Sequence, residues 1–193
     1  MSKPSAYDQM IFIMYSPVDD AEARGYSQWL VDVDNPYFNR ADGVARYTNW
    51  RVTGPSSGAP FGYFDFLGMT GNNALFDVWE SDKLSAFRHE WRVLWGRDRS
   101  LSAEGNSHAV LCRRQSAAQR ETPFVAVALH GAASPPPPGY ERWSVEKVLR
   151  GRSTFSFLDL RYLSDRTALD TAAQPKGSGA SAFVGELIAA PPG

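Results

Sequence analysis

The chain is poor in cysteine, has no excess charge of either sign and lacks any long apolar run, and each absence removes a class of protein. Its single cysteine, Cys112, rules out an intrachain disulfide and with it a secreted, disulfide-built scaffold. Cys112 closes the apolar run Ala109–Cys112 and reads as a buried small hydrophobe. No run approaches the ~18 apolar residues of a membrane-spanning helix. The opening Met1–Gln9 is polar, without the charged-then-apolar order of a signal peptide, so no membrane association and a cytoplasmic setting are expected. Twenty basic residues face 21 acidic ones, a net charge of −1, which gives no electrostatic footprint for nucleic acid. The pair Arg113–Arg114 and the group Arg97–Arg99 are too small for a phosphate track and read as a solvated face. Only three histidines occur, none at ligand spacing, and there is no C-x-x-C, so neither a metal nor another cofactor is expected. No phosphate-binding or nucleophile-elbow glycine motif is present; Gly177-Ser178-Gly179 follows a loop and reads as a linker.

Aromatic side chains are what the chain has in plenty. Six Trp, eight Tyr and eleven Phe stand among 193 residues, 43% of them hydrophobic, enough for a core without staples. Composition alone does not separate a thick core from an aromatic-lined pocket, and the core is the commoner use of such residues.

Met10–Tyr15 is a short apolar run ended by Ser16-Pro17 and reads as a buried strand. Tyr26, Trp29, Leu30 and Val33 lie on one helical face, and Pro36 predicts an end to that helix near Asp34. Ala45–Val52 and Tyr63–Met69 read as a strand pair joined by the turn-forming Gly54–Pro60. In the second strand Tyr63, Asp65 and Leu67 share one face and Phe64 and Phe66 the other. A second helix carries the stripe Leu84, Phe87, Trp91, Leu94 and Trp95, with Asn72–Trp79 as an extra turn leading in, and Ser107–Arg113 is a fourth strand.

The order is β-α-β-β-α-β, that of a ferredoxin-like α+β unit. Beyond it, Phe124–Leu129, Phe155–Leu163 and Ala182–Ala189 read as strands, and Tyr140–Leu149 as a short helix after the proline-rich Ala132–Gly139. Asp165–Gly179 reads as a loop of small residues. Gly25-Tyr26 before Trp29 and Gly139-Tyr140 before Trp143 hint at duplication. The expected organisation is a ferredoxin-like unit over residues 1–118 and a degenerate second βαββ half over 119–193.

Trp29, Asp34, Pro36 and Gly43-Val44 stand in the spacing W-x4-D-x-P-x6-G-V. Over about residues 10–113, with a weaker echo over 124–190, this resembles the dimeric α+β-barrel superfamily, especially its EthD-like members. The resemblance implies two ferredoxin-like units facing each other across an apolar cavity, within one chain or in a homodimer. It also implies a reaction drawn from that superfamily's range, isomerase, cyclase, lyase or cofactor-free monooxygenase, or ligand binding in a stress protein without turnover. At the position where those relatives often carry His, this chain has Asp34, which would need an apolar setting to act as a base near neutrality.

Asp34, with Asn35, Tyr37 and Asn39 beside it, has the residue types for proton abstraction and oxyanion support, and equally those of an ordinary helix-ending turn. Asp65 is a carboxylate within an aromatic strand, costly if buried and uninteresting if solvated; Arg46 and Arg51 are partners within reach. His89 lies opposite the helical stripe and is set aside, whereas His108 and His130 sit at strand ends. Tyr15, Tyr47, Trp50 and Tyr63, with Arg46, are the candidates for holding a substrate, with core packing as the alternative for each. The expected activity is cofactor-independent proton transfer on a small hydrophobic, aromatic molecule. Asp34 would be the base, assisted by Asn35, Tyr37, His130 or Asp65.

Overall fold

The computed structural model describes residues 7–53, 61–71, 75–96, 107–131, 135–165 and 181–192. Eight strands carry the fold: β1 (Gln9–Tyr15), β2 (Val44–Val52), β3 (Tyr63–Met69), β4 (Ser107–Arg114), β5 (Phe124–His130), β6 (Glu141–Arg150), β7 (Phe157–Leu163) and β8 (Ser181–Ala189). They close into one antiparallel barrel in the order β1-β3-β2-β8-β5-β7-β6-β4. The long pairings β2 with β8 and β4 with β6 complete the ring within a single chain.

This overturns the expectation of a ferredoxin-like α+β architecture with two βαββ layers facing across a cavity. The fold is a mostly-strand closed barrel, and the dimeric α+β-barrel description does not apply. The reason lies in strand alternation, which sends one set of side chains into a shared interior. Met10, Phe12, Met14, Trp50, Phe64, Phe66, Trp143, Leu158 and Phe183 meet there as one core. Eight strands leave an interior that side chains can fill. It is so closely filled that a Cβ at Gly185 would lie 2.2 Å from the Phe64 ring, and one at Gly68 2.6 Å from Tyr7.

The Gly139-Tyr140 segment supplies a second correction. Instead of a helix, it opens β6, whose Trp143 and Val145 turn inward while Arg142 faces out. An inward spacing of two satisfies the barrel. The likeness to Gly25-Tyr26 is therefore not a structural repeat.

Helices gather on the outer face of β1, β3 and β2. One helical passage runs through α1 (Tyr26–Trp29), a π-helical turn (Leu30–Asp34) and α2 (Asn35–Arg40). It does not end at Asp34. Asn35 stays helical (φ −61°, ψ −47°), and the widened turn just before Pro36 absorbs the proline's missing N–H. A second π turn, Leu75–Trp79, precedes α3 (Asp82–Trp95). Ser81 caps α3 by accepting from the Leu84 N–H. Leu84, Phe38, Tyr47, Leu67 and Ile11 pack between these helices and the barrel wall. No helix among the described residues is long and apolar enough to cross a membrane. Gly54–Pro60, Arg97–Arg99 and Gly177–Gly179 lie outside the described residues.

Candidate functional site: a buried carboxylate pair under an aromatic recess

On β3 the alternation read from the sequence holds: Phe64 and Phe66 enter the barrel core, while Tyr63, Asp65 and Leu67 face the helices. Asp65 is only 3% exposed. The widened turn of the helical passage lowers Asp34, 4% exposed, onto the same spot. Two carboxyl groups from distant parts of the chain thus meet out of water, and no ion pair among the described residues neutralises either.

Tyr47 stands between them. Its hydroxyl lies 2.8 Å from Asp34 Oδ2 and 2.8 Å from Asp65 Oδ2. A phenol has one proton to donate, so the second short contact requires a carboxyl that keeps its own proton and donates it to the phenol oxygen. Asn49, fully buried and paired across the sheet with Asp65, donates to Asp34 Oδ2 at 2.7 Å and to Asp65 Oδ1 at 3.0 Å. Tyr15 donates to Asp65 Oδ1 at 3.2 Å. Behind this shell, Asn35 donates to Asn49 Oδ1 at 2.9 Å, and Asn39 donates to Asn35 Oδ1 at 2.9 Å. Those two contacts fix the Asn49 amide with its NH2 towards the carboxyls.

Burial disfavours the charged form of both acids. It pushes Asp34 from the ordinary 3.8 up to about 7, against the opposing hydrogen bonds from Tyr47 and Asn49. Asp65 is raised well above its ordinary value, by burial first and the Asp34 charge second. Two acids this close ionise in sequence, so once the first has ionised the pair is a monoanion holding one proton. It can take a proton with one oxygen and offer a hydrogen bond from another.

The pair forms the floor of a recess between α3 and the sheet that is partly open to solvent. Its walls are Ile13, Phe38, Trp79, Leu84, Phe87 and Trp91, and Arg88, Arg92 and Arg150 stand at its half-exposed mouth. Aromatic walls and a few convergent polar groups are the usual make-up of a small-molecule site.

The other sequence candidates fall into several places. Tyr15, Tyr47, Asp34 and Asp65 line the recess, and Asn35 supports it from behind. Tyr37 stacks on Phe87, ring centroids 4.0 Å apart, and buttresses the wall. Tyr63 stacks on Tyr15 and donates to Glu22. Trp50 points the other way, into the barrel core, where its indole donates to Thr48. Arg46 is occupied by an ion pair with Glu121 at 2.6 Å. His130 belongs to a separate cluster, 2.9 Å from Asp159 Oδ2, while Arg142 holds the same carboxylate through two contacts of 2.7 Å. His108 meets the backbone of Arg152, and His89 is exposed. Sequence reasoning missed Asn49, although it shares the outward face of β2 with Tyr47. It also missed Arg88 and Arg92, one and five residues beyond Phe87 on the stripe-bearing helix.

No family model matches the chain, and no curated protein matches its sequence. Nothing in these comparisons supports an isomerase or a lyase. Among solved structures, the chain is similar to the crystal structure of an anthrone oxidase-like protein, with a TM-score of 0.59 and 9% sequence identity, over 98% of this chain and 94% of that one. At that identity, the likeness is one of fold.

Proposed function

We propose that the chain removes a proton from carbon in a small aromatic molecule, using the Asp34–Asp65 pair and no cofactor. The observation that carries this reading is a pair of buried carboxyls bridged by Tyr47 on the floor of an aromatic recess. A methylene next to an aryl ketone is the fitting type of carbon acid: its rings suit the recess walls, and its carbonyl can take the hydrogen bond. The Asp34 carboxylate takes the proton. Asp65, which keeps its own, and the Tyr15 hydroxyl stabilise the enolate oxygen that develops. Burial supplies the raised basicity that a carboxylate lacks in water.

The enolate has two fates. Return of the proton is one. The other is attack on dioxygen, in which the CH2 becomes a carbonyl and one O2 is consumed for each water released. The name carried by the fold neighbour, anthrone oxidase-like protein, favours testing the second. A cytoplasmic setting belongs to the same proposal, on the strength of a chain with a single, buried cysteine.

The test is proton exchange in D2O for a panel of aryl ketones, anthrone among them, followed by NMR while an electrode records oxygen. The reading expects protein-dependent exchange that Asp34→Asn abolishes, with oxygen uptake deciding the fate. Exchange that Asp34→Asn leaves unchanged would sink it.

A further inference from the structure

Three arginines converge at the mouth of the recess from separate elements. Arg88 and Arg92 are one turn apart on α3, and Arg150 comes from the end of β6. All three are half-buried. No ion pair among the described residues involves any of them, although most of the half-buried arginines elsewhere are matched: Arg46 with Glu121, Arg51 with Glu186, Arg113 with Glu146. Arg88 donates to the Leu84 and Trp79 carbonyls and lies 4.7 Å above the Trp79 ring. Arg150 lies 6.0 Å from the same ring. These contacts hold Arg88 and Arg150 in place but leave the mutual repulsion of the three guanidinium groups uncompensated. Burial, Arg150 and Arg92 together lower the Arg88 pKa to about 10. Gathering like charges at a partly desolvated mouth is costly unless something anionic joins them.

We propose that the recess selects anionic aromatics, with a carboxylate or comparable group seated on Arg88, Arg92 and Arg150 while the arene occupies the aromatic walls. This inference rests on the recess being the ligand site proposed above, and it adds the substrate class. The anchor at the mouth leaves the far end of the ligand over Asp34 and Asp65, so the proton-bearing carbon stands away from the acidic group. The raised pKa of Asp65 limits the floor to one negative charge, at the end of the recess away from the ligand's anionic group.

The discriminating pair of probes is 1-naphthoate and methyl 1-naphthoate, which share an arene and differ in charge. Binding of each is measured by calorimetry to the full chain and to Arg92→Gln and Arg150→Gln, with circular dichroism and thermal midpoints confirming the fold. Arg88→Gln is a secondary variant, because Arg88 also ties down the Trp79 carbonyl. The inference expects naphthoate to bind roughly tenfold or more tightly than its ester, as charge-assisted hydrogen bonds allow. It expects each glutamine variant to remove most of that preference while leaving the ester unchanged. An ester that binds as well as the acid, a preference that survives all three variants, or no binding of either probe would each overturn it. Asp34→Asn separates the two proposals. Exchange lost in Asp34→Asn with the naphthoate preference intact supports both, whereas exchange lost in Asp34→Asn with no charge preference in the parent chain removes the anion site alone.

Discussion

Replacing Asp34 by Asn should make the protein more stable, and increasingly so as pH rises. In the folded chain Asp34 holds its proton up to about pH 7, whereas in the unfolded chain it releases it near 3.8. Between those values the native state binds more protons at this group than the unfolded state, so stability falls as pH climbs. The group's contribution is fully present below about pH 4 and is lost once pH passes about 7. Each pH unit is worth about 1.4 kcal/mol per proton, so the whole window amounts to about 4 kcal/mol. Asparagine copies the neutral carboxyl in shape and can still accept from Tyr47 and Asn49. At pH 4 the variant should therefore match the parent within about 1 kcal/mol. By pH 8 it should exceed the parent by up to about 4 kcal/mol, on the order of 10 °C in Tm for a chain of this size. Urea denaturation at half-unit steps from pH 4 to 8 measures the gap. A gap that stays flat across that range, or a variant destabilised throughout, would refute the reasoning that the pair is stored at the expense of stability.

Other consequences follow from the same geometry. Proton abstraction requires the monoanionic pair, so kcat/KM should rise with pH through about 7 and level off above it. Tyr47→Phe removes a donor that lowers the pKa of both acids, so the pH midpoint of activity should move upward, with a stability loss of about 1–3 kcal/mol in denaturation. Trp50→Ala empties part of the barrel core on the opposite side of the sheet. It should cost about 3–5 kcal/mol in stability while leaving the pH midpoint in place.

The strands were largely legible because each is a short apolar or alternating run with turn residues at its ends. The helix over Asp82–Trp95 was legible from the stripe Leu84 to Trp95. Closure was not. It depends on β2 meeting β8 and β4 meeting β6, pairings between residues far apart in sequence that no local pattern encodes. Reading the strand order as ferredoxin-like followed from the element sequence alone, which is silent on how a sheet's edges are completed. Tyr140–Leu149 misled because a single segment carries no sign of its partners, and pairing with β4 and β7 makes it a strand. Pro36 misled in the opposite direction: the rule that proline ends a helix holds for an ordinary turn, and here a π turn precedes it.

Within the site, Asp34 and Asp65 could be singled out as acids in apolar company. Their meeting could not, because it requires the helical passage to fold over β3. The three arginines come from α3 and β6, and only tertiary packing makes them neighbours. Trp50 and Arg46 were drawn into the candidate set by residue type, and strand alternation places both on the other side of the wall from Tyr47 and Asn49.

The infrared carbonyl stretch of protonated carboxylic acids at pH 8 reads the shared proton without needing a substrate. A band present in the parent chain, where every exposed carboxylate has ionised, and missing in Asp65→Asn is the predicted result. A parent spectrum at pH 8 with no such band would mean that both acids are ionised in the fold, and the account of the site would fall.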